Sequence, residues 1–294
     1  MSVKYAFIGS EEGNYPIIKM CSWARVSTSG FYAWACRAPS ARAQRRAELA
    51  ALVQFSFDRS DSTYGYRRIH AELGRWGHTV DDETVRSIMR ELGLETCQPR
   101  PFRPITTVAG DASGIPDAVK RDFTATQPGT KLVGDITYIP TWEGWVYLAT
   151  VLDCFSKKVV GYAMADHMRT ELVTDALDMA VRNVNIHPGV TIFHSDRGSQ
   201  YTCEDFAKCA TKHKIRRSVG RTGVCYDNAW AESFNGTLKN ECVNRTVYPT
   251  KAHAIVDINR YIQLRYNHIR LHSALGYRTP NEVETDWIAS QEAA

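Results

Sequence analysis

The sequence predicts a mixed α/β core, one sheet of five strands flanked by helices, preceded by an all-α, helix-turn-helix-type region. Three observations predict it. From residue 131 three apolar runs of strand length follow one another and then alternate with helical periodicities, the plan of a layered sheet. Residues 15–93 instead carry apolar positions at helical spacing, in paired segments. Between them, residues 98–130 are rich in Pro, Gly, Thr and Asp, with Pro99, Pro101, Pro104, Gly110, Gly114, Pro116 and Pro128. Such composition marks a linker and a domain boundary.

The first helical pair spans residues 15–35. A helix runs from Pro16 through Trp23, Val26-Ser27-Thr28-Ser29-Gly30 supplies a turn with capping residues, and Phe31-Tyr32-Ala33-Trp34 starts the next apolar stripe. This suits a helix-turn-helix, and any small helical hairpin almost as well. A basic stretch with Arg37, Arg42, Arg45 and Arg46 leads into a helix carrying Leu49, Leu52, Val53 and Phe55. Tyr64-Gly65-Tyr66-Arg67-Arg68-Ile69 opens a second pair, with Ile69 and Leu73 apolar and Gly77-His78-Thr79-Val80 as its turn. Asp82 is expected to cap the following helix, with Val85, Ile88, Met89 and Leu92 buried and Gly93 closing it. Arg86 and Arg90 stand four apart on its polar side. A helix entering a DNA groove looks like this and so does a solvated helix face; the residues weigh the two equally.

In the core, Leu132–Ile139, Trp145–Phe155 and Lys158–Ala165 read as successive strands, the last two joined tightly at Ser156-Lys157. Thr170 is expected to cap a helix to Val184, with Leu172, Val173, Ala176, Leu177 and Ala180 at helical spacing. A short strand at Val190–Phe193, a helix from Glu204 to His213, a strand at Ile215–Val219, a helix from Asn228 to Val243 and further helix near 251–267 complete the order.

Composition narrows the function classes. The chain has 294 residues, 44% hydrophobic and 23% charged, which is ordinary for a globular protein. No apolar run is long enough to span a bilayer, and Met1-Ser2-Val3-Lys4-Tyr5 does not open a signal peptide, so a cytoplasmic, nucleoid-associated protein without membrane contact is expected. The net charge of +4 resides in residues 1–110, with 15 Lys/Arg against 11 Asp/Glu. A basic first part beside a neutral remainder suggests a binding module and a separate working module. None of the eight cysteines forms a C-x-x-C pair; Cys203 and Cys209 with His213 lack a fourth ligand for a metal.

Three acids stand in distinctive surroundings. Asp135 interrupts the apolar strand Leu132-Val133-Gly134-Asp135-Ile136-Thr137-Tyr138-Ile139, where a charge is costly unless it meets a cation or hydrogen-bond donors. Asp196 ends a short strand and precedes Arg197-Gly198-Ser199-Gln200-Tyr201, a glycine loop of the kind that carries function. Glu232 lies in a helix on which Asn228, Glu232, Asn235 and Lys239, at −4, 0, +3 and +7, share one face, while Trp230, Phe234 and Leu238 lie on another. Taken singly, each has a plain reading: a satisfied strand Asp, a turn former, a solvated helix face. Asp153, in the second strand, is a rival for the first acid.

From Asp196 to Glu232 there are 35 intervening residues, and this Asp, Asp, 35, Glu pattern resembles that of retroviral-integrase-like transposases. The words around it are similar to one branch, the orfB-type transposases of the insertion-sequence family numbered three: Gly134-Asp135-Ile136-Thr137-Tyr138, His194-Ser195-Asp196-Arg197-Gly198-Ser199-Gln200-Tyr201, Asp227-Asn228-Ala229-Trp230-Ala231-Glu232-Ser233-Phe234-Asn235, and Lys239. The likeness extends to Tyr64-Gly65-Tyr66-Arg67-Arg68-Ile69 and to the tail Tyr266-Asn267, Arg270-Leu271-His272-Ser273-Ala274-Leu275-Gly276-Tyr277 and Thr279-Pro280, hence over most of the chain. It departs in having Lys131-Leu132-Val133 before Gly134-Asp135, where the family often has a Trp, and the His-His-Cys-Cys zinc module of retroviral integrases is absent.

The resemblance implies an RNase H-like core and phosphoryl transfer with two Mg²⁺ or Mn²⁺ ions per active site, held by Asp135, Asp196 and Glu232, Asp135 bridging. It implies attack by water in cleaving element ends and by a DNA 3′-hydroxyl in joining them, without a covalent protein–DNA intermediate. Lys239 is then expected on a phosphate. Asn228 and Asn235 are expected either on DNA or orienting Glu232. Arg216 and Arg217, with Lys212, Lys214 and Arg221, are expected to grip end or target DNA, or to be ordinary surface. His194 is expected to be structural. The partners implied are double-stranded DNA at element ends and target, further copies of the chain assembled on that DNA, and an upstream-frame (orfA) product, separate or fused. The expected division is 1–46 and 47–97 as helical modules, 98–130 as linker, 131–246 as integrase core and 247–294 as helical extension. A same-fold nuclease and a catalytically silent DNA-binding regulator are the alternatives.

Overall fold

The computed structural model describes residues 1–97, 114–220 and 228–293. The first part of the expected linker, 98–113, together with Arg221 and Asp227, lies outside the described residues. The sheet has five strands in the order β3-β2-β1-β4-β5. They are β1 (Lys131–Thr141), β2 (Gly144–Asp153), β3 (Val159–Ala165), β4 (Ile192–Ser195) and β5 (Arg216–Val219). The first three form an antiparallel meander; β4 and β5 add in parallel on the other side of β1. Lys157 accepts a left-handed φ of 63° in the tight link expected between β2 and β3.

Successive strand residues point to opposite faces, so β1 serves two cores. On one face Leu132, with Ala149, Val151 and Val160, packs under α7 (Thr170–Asn183), α8 (Ser199–Thr202) and α9 (Glu204–Lys212). Contact there is close: a Cβ on Gly161 would meet the Ala176 carbonyl oxygen at 2.2 Å and the Ala180 nitrogen at 2.6 Å. On the other face Val133 and Ile139, with Val146 and Leu148, pack against Ala231, Phe234 and Leu238 of α10 (Ala229–Glu241) and Ile258 of α11 (Lys251–Arg260). This is the expected sheet with helices on both sides.

The helical region forms two small cores. α1 (Ser2–Ser10), α2 (Ile17–Trp23) and α3 (Thr28–Ala35) enclose Ile8, Met20, Cys21 and Phe31. α4 (Ala41–Arg59), α5 (Tyr66–Arg75) and α6 (Asp82–Glu91) enclose Leu49, Val53, Ile69, Leu73, Val85, Ile88 and Met89. Several local expectations need correction. Sequence reading gave no helix at α1. The hydroxyl of Ser27 caps α3 from Thr28, so the turn before it is shorter than expected. Asp81 rather than Asp82 caps α6, accepting from the Thr84 amide. Arg169, not Thr170, holds the N-cap position of α7. Leu92 and Phe55 face solvent, at 42% and 58% exposed.

Past α11 the chain continues into a π-helical turn, Tyr261–Tyr266. Its bonds run to the fifth residue back: the Asn267 amide donates to the Ile262 carbonyl and the Arg270 amide to that of Arg265. The turn delivers Tyr261, Ile262 and Tyr266 to the sheet core. The Asn267 side chain then bridges Val159 of β3, accepting from its amide and donating to its carbonyl, both at 3.0 Å. Leu271 enters the core of α4–α6, and α12 (Pro280–Glu292) starts from a Thr279–Glu282 capping box. The segment after residue 247 therefore joins both cores rather than trailing from one. Among the described residues no helix is long and apolar enough to cross a membrane.

Candidate active site

Asp135 lies midway along β1, directly opposite Thr150 of β2. The parallel register sets Val133 beside His194. Two residues further along both strands, the same offset brings Asp135 level with Asp196, just beyond the end of β4. Glu232 lies in the first turn of α10, which packs on the face of the sheet that odd-numbered β1 residues share. Two buried amides pin that helix to the strand. Asn235 donates from Nδ2 to Asp135 Oδ2 at 2.8 Å, and Asn228 donates to the Gly134 carbonyl at 3.2 Å. These bonds hold Asp135 and the main chain of β1 rather than Glu232, and both side chains are buried, which leaves them little surface for DNA.

The charges interact. Burial, then the neighbouring Asp196 and, more weakly, Glu232 push the Asp135 carboxyl up to about 8, against donors from Asn235 and the Ile136 amide. Burial raises Asp196, opposed by the Gly198 amide, 3.0 Å from its Oδ1, and by His194. Burial and Asp196 raise Glu232, which faces solvent. The oxygens of all three do not lie within 4.8 Å of one another, so the trio is an open arrangement. Lys239, two turns along α10, places its ammonium 4.7 Å from the Tyr138 ring centroid; burial lowers its pKa and Asp135 raises it. Three oxygen acids drawn together, with one amine nearby, form a donor set suited to hard divalent cations.

Asp153 is not a rival. It is 0% exposed and fully engaged, accepting from the Gly129 amide at 3.0 Å and from the Ser156 amide and hydroxyl at 2.7 Å each. It ties the corner after β2 to the start of β1. His194 is buried, with Nδ1 2.8 Å from the Ser218 hydroxyl of β5.

Sequence reasoning missed two groups. Tyr201 is buried beneath the acids, and Asp135 and Asp196 help to hold its hydroxyl far above the usual tyrosine range. Its signal was its place in the same glycine-loop motif as Asp196. The Thr150 hydroxyl, beside Asp135, is buried without a hydrogen-bond partner; only strand pairing reveals it.

The other predicted contacts lie elsewhere. On α6, Arg86 is 3.3 Å from Glu83 and lies over the Tyr66 ring, and Arg90 is exposed. Arg216 is exposed on β5; Arg217 beside it has a buried Nη1 without a partner. Asp178 of α7 gathers His213 at 2.6 Å, Lys212 at 3.8 Å and the Cys209 thiol at 3.9 Å, while Cys203 turns to the Thr170 hydroxyl. Cys203 and Cys209 thus face different partners, and Asp178 already has Lys212 and His213 beside it.

Comparison with known proteins agrees with this architecture. Two integrase core domain models match residues 125–225 and 213–280, and an HTH-like domain model matches residues 44–102. The chain is 36% identical to "Transposase InsF for insertion sequence IS3A" of Escherichia coli (strain K12), over 98% of this chain and 100% of that one. It is 38% identical to an uncharacterized 31 kDa protein of insertion element IS600 from Shigella sonnei, over 89% of this chain and 96% of that one. Among solved structures, the HTLV-2 integrase catalytic core domain in complex with magnesium is similar at 17% identity and a TM-score of 0.41, over 54% of this chain and 98% of that one.

Proposed function

The chain belongs to the IS3 family of insertion-sequence transposases and is a DNA transposase with an integrase core, and from that premise we propose that Asp135, Asp196 and Glu232 are its catalytic acids. One observation carries the proposal: a strand, a strand end and a helix from distant parts of the chain bring three carboxylates together, close enough that Asp196 raises the pKa of both Asp135 and Glu232. Structural acids normally have their charge matched by several donors or a cation, as Asp153 and Glu241 do; Asp135 and Asp196 have fewer donors and lie within reach of a further acid.

The three acids would hold two Mg²⁺ or Mn²⁺ ions, which when bound neutralise phosphate charge and lower the pKa of the attacking hydroxyl. The chain's own groups prepare for this. Asn235 fixes one oxygen of Asp135. The Gly198 amide fixes Asp196. Lys239 offers a cation for the phosphate that the acids would otherwise repel. Water serves as nucleophile in cleaving element ends and a DNA 3′-hydroxyl in joining them.

The remaining assignments rest on the same reading. Helical modules 1–46 and 47–97 would hold double-stranded DNA, with Arg86 and Arg90 on α6 and Arg216 and Arg217 on β5 as phosphate contacts. Residues 98–130 would link them to the core at 131–246, and the chain would act as an oligomer on DNA, with an orfA product as partner or fusion.

The test is a gel assay with labelled element ends and Mg²⁺ or Mn²⁺. Wild type should yield both cut and joined strands, and Asp135→Asn or Glu232→Gln should reduce both by roughly 10²–10³-fold or more while still binding DNA. Full activity in either variant would place the chemistry elsewhere. Cutting without joining would make the protein a nuclease.

A further inference from the structure

Two sequence motifs have no part in the chemistry so far, Tyr64-Gly65-Tyr66-Arg67-Arg68-Ile69 and Arg270-Leu271-His272. They meet at the far end of α10. Glu241, the last residue of that helix, is 6% exposed, and Arg270, at 7%, grips it from Nε (3.0 Å to Oε1, 2.9 Å to Oε2) and from Nη2 (2.9 Å to Oε1). The Tyr261 hydroxyl donates to Oε2 at 2.9 Å. Arg68 of α5 then brings a second guanidinium. Its Nη1 lies 3.6 Å from Glu241 Oε1, and its Nε donates to the Leu271 carbonyl at 3.0 Å. Tyr64 completes the seam, donating to the Ile269 carbonyl and accepting from the Leu271 amide.

The charge count is informative. One carboxylate already paired with Arg270 needs no second cation, and bringing Arg68 into this half-buried place costs desolvation: burial and Arg270 both lower its pKa. Arg68 does attract the Glu241 carboxylate, but it also repels Arg270, which already pairs that acid. What it does join is the helical module to α10, at the end opposite Glu232. Nine residues of helix, about 13 Å, separate the two glutamates. A second line runs beside it, because Phe234 packs edge-on against Tyr266 with ring centroids 4.8 Å apart, and Arg270 lies over that same tyrosine.

We propose that Arg68 is a positioning residue for Glu232. Through Glu241 it sets the rotation and axial place of α10 against the helical module, so that the module and the carboxylate completing the metal site move as one body. The proposal rests on the reading of the three acids as that site.

Arg68 also permits a clean cut. Removing Glu241 or Arg270 strands a buried charge, whereas Arg68→Gln leaves a neutral, fully bonded pair behind. In the full-length protein, Arg68→Gln should melt in one cooperative transition and bind element-end DNA within about twofold of wild type. Its Mn²⁺ half-saturation, read by electron paramagnetic resonance without DNA, should rise about tenfold, and cleavage at saturating DNA should fall by a similar factor, in kcat rather than KM. Arg68→Lys should recover most of both. Tyr64→Phe, which removes only hydroxyl bonds of the seam, should shift Mn²⁺ binding the same way by less, and serves if Arg68→Gln does not fold. Unchanged Mn²⁺ affinity in the variants, or activity lost only in step with DNA binding, would overturn the proposal. A wild type that binds Mn²⁺ yet neither cuts nor joins would condemn the transposase chemistry and leave the Mn²⁺ titration to judge Arg68.

Discussion

Replacing Asp135 with Asn should stabilise the metal-free protein at alkaline pH, and its surroundings set by how much. The Asp135 carboxyl rises from the ordinary 3.8 to about 8 in the folded chain. Between those values the folded state keeps a proton that the unfolded state has lost. Stability therefore falls as pH rises from about 4 to about 8 and levels off above, the reverse of the behaviour of a salt-bridged Asp. At 1.36 kcal/mol per pH unit the ceiling is roughly 5–6 kcal/mol; Asp135 keeps partial exposure, so water relieves part of this and about 2–3 kcal/mol is expected. An asparagine still accepts from Asn235 but never ionises, so this part of the slope disappears. Urea unfolding in EDTA at several pH values measures it. The two proteins should match near pH 4 and diverge until the variant leads by about 2–3 kcal/mol near pH 9. Parallel curves, or a wild type that gains on the variant as pH rises, would refute the electrostatic reasoning. Added Mn²⁺ should reverse the order by stabilising wild type alone.

Lys239→Ala should leave the fold intact, weaken DNA binding across all sequences and reduce the salt slope of binding by about one, as measured by titration at several salt concentrations. Asp153→Ala should cost about 2–4 kcal/mol in urea unfolding, since it strands the Gly129 and Ser156 donors, and should leave Mn²⁺ affinity unchanged. Gly161→Ala should cost about 1–3 kcal/mol or more, because its Cβ would strike the backbone of α7, with the loss read as a lower melting temperature.

The sheet and the acids were legible because their signals are local. An apolar run of strand length marks β1, and a charge inside it is conspicuous; a fixed interval separates Asp196 from Glu232. The shared face of Asn228, Glu232, Asn235 and Lys239 also followed from helical spacing. Spacing does not say what covers a face, however, and here it is the middle of β1 rather than solvent or DNA that meets the two asparagines. Helix α1 escaped notice because its exposed Val3 and Phe7 interrupt any clear apolar stripe. The cap at Asp81 rather than Asp82 is a choice between two adjacent residues of equal capping chemistry. The meeting of Arg68, Glu241 and Arg270 left no trace in local pattern, since each lies in a different part of the chain and reads alone as surface charge.

The π-helical turn at Tyr261–Tyr266 makes chain length, more than composition, the quantity that inheritance must guard in this segment. Losing one codon there would let the Asn267 amide reach the Ile262 carbonyl as an ordinary α-helical bond, whereas gaining one would exceed the extra residue the turn absorbs and swing all that follows by about 100°. Asn267 would then leave the main chain of Val159, and Arg270 would no longer face Glu241. Exposed Leu264 can vary widely, whereas an insertion beside it would unseat two cores together.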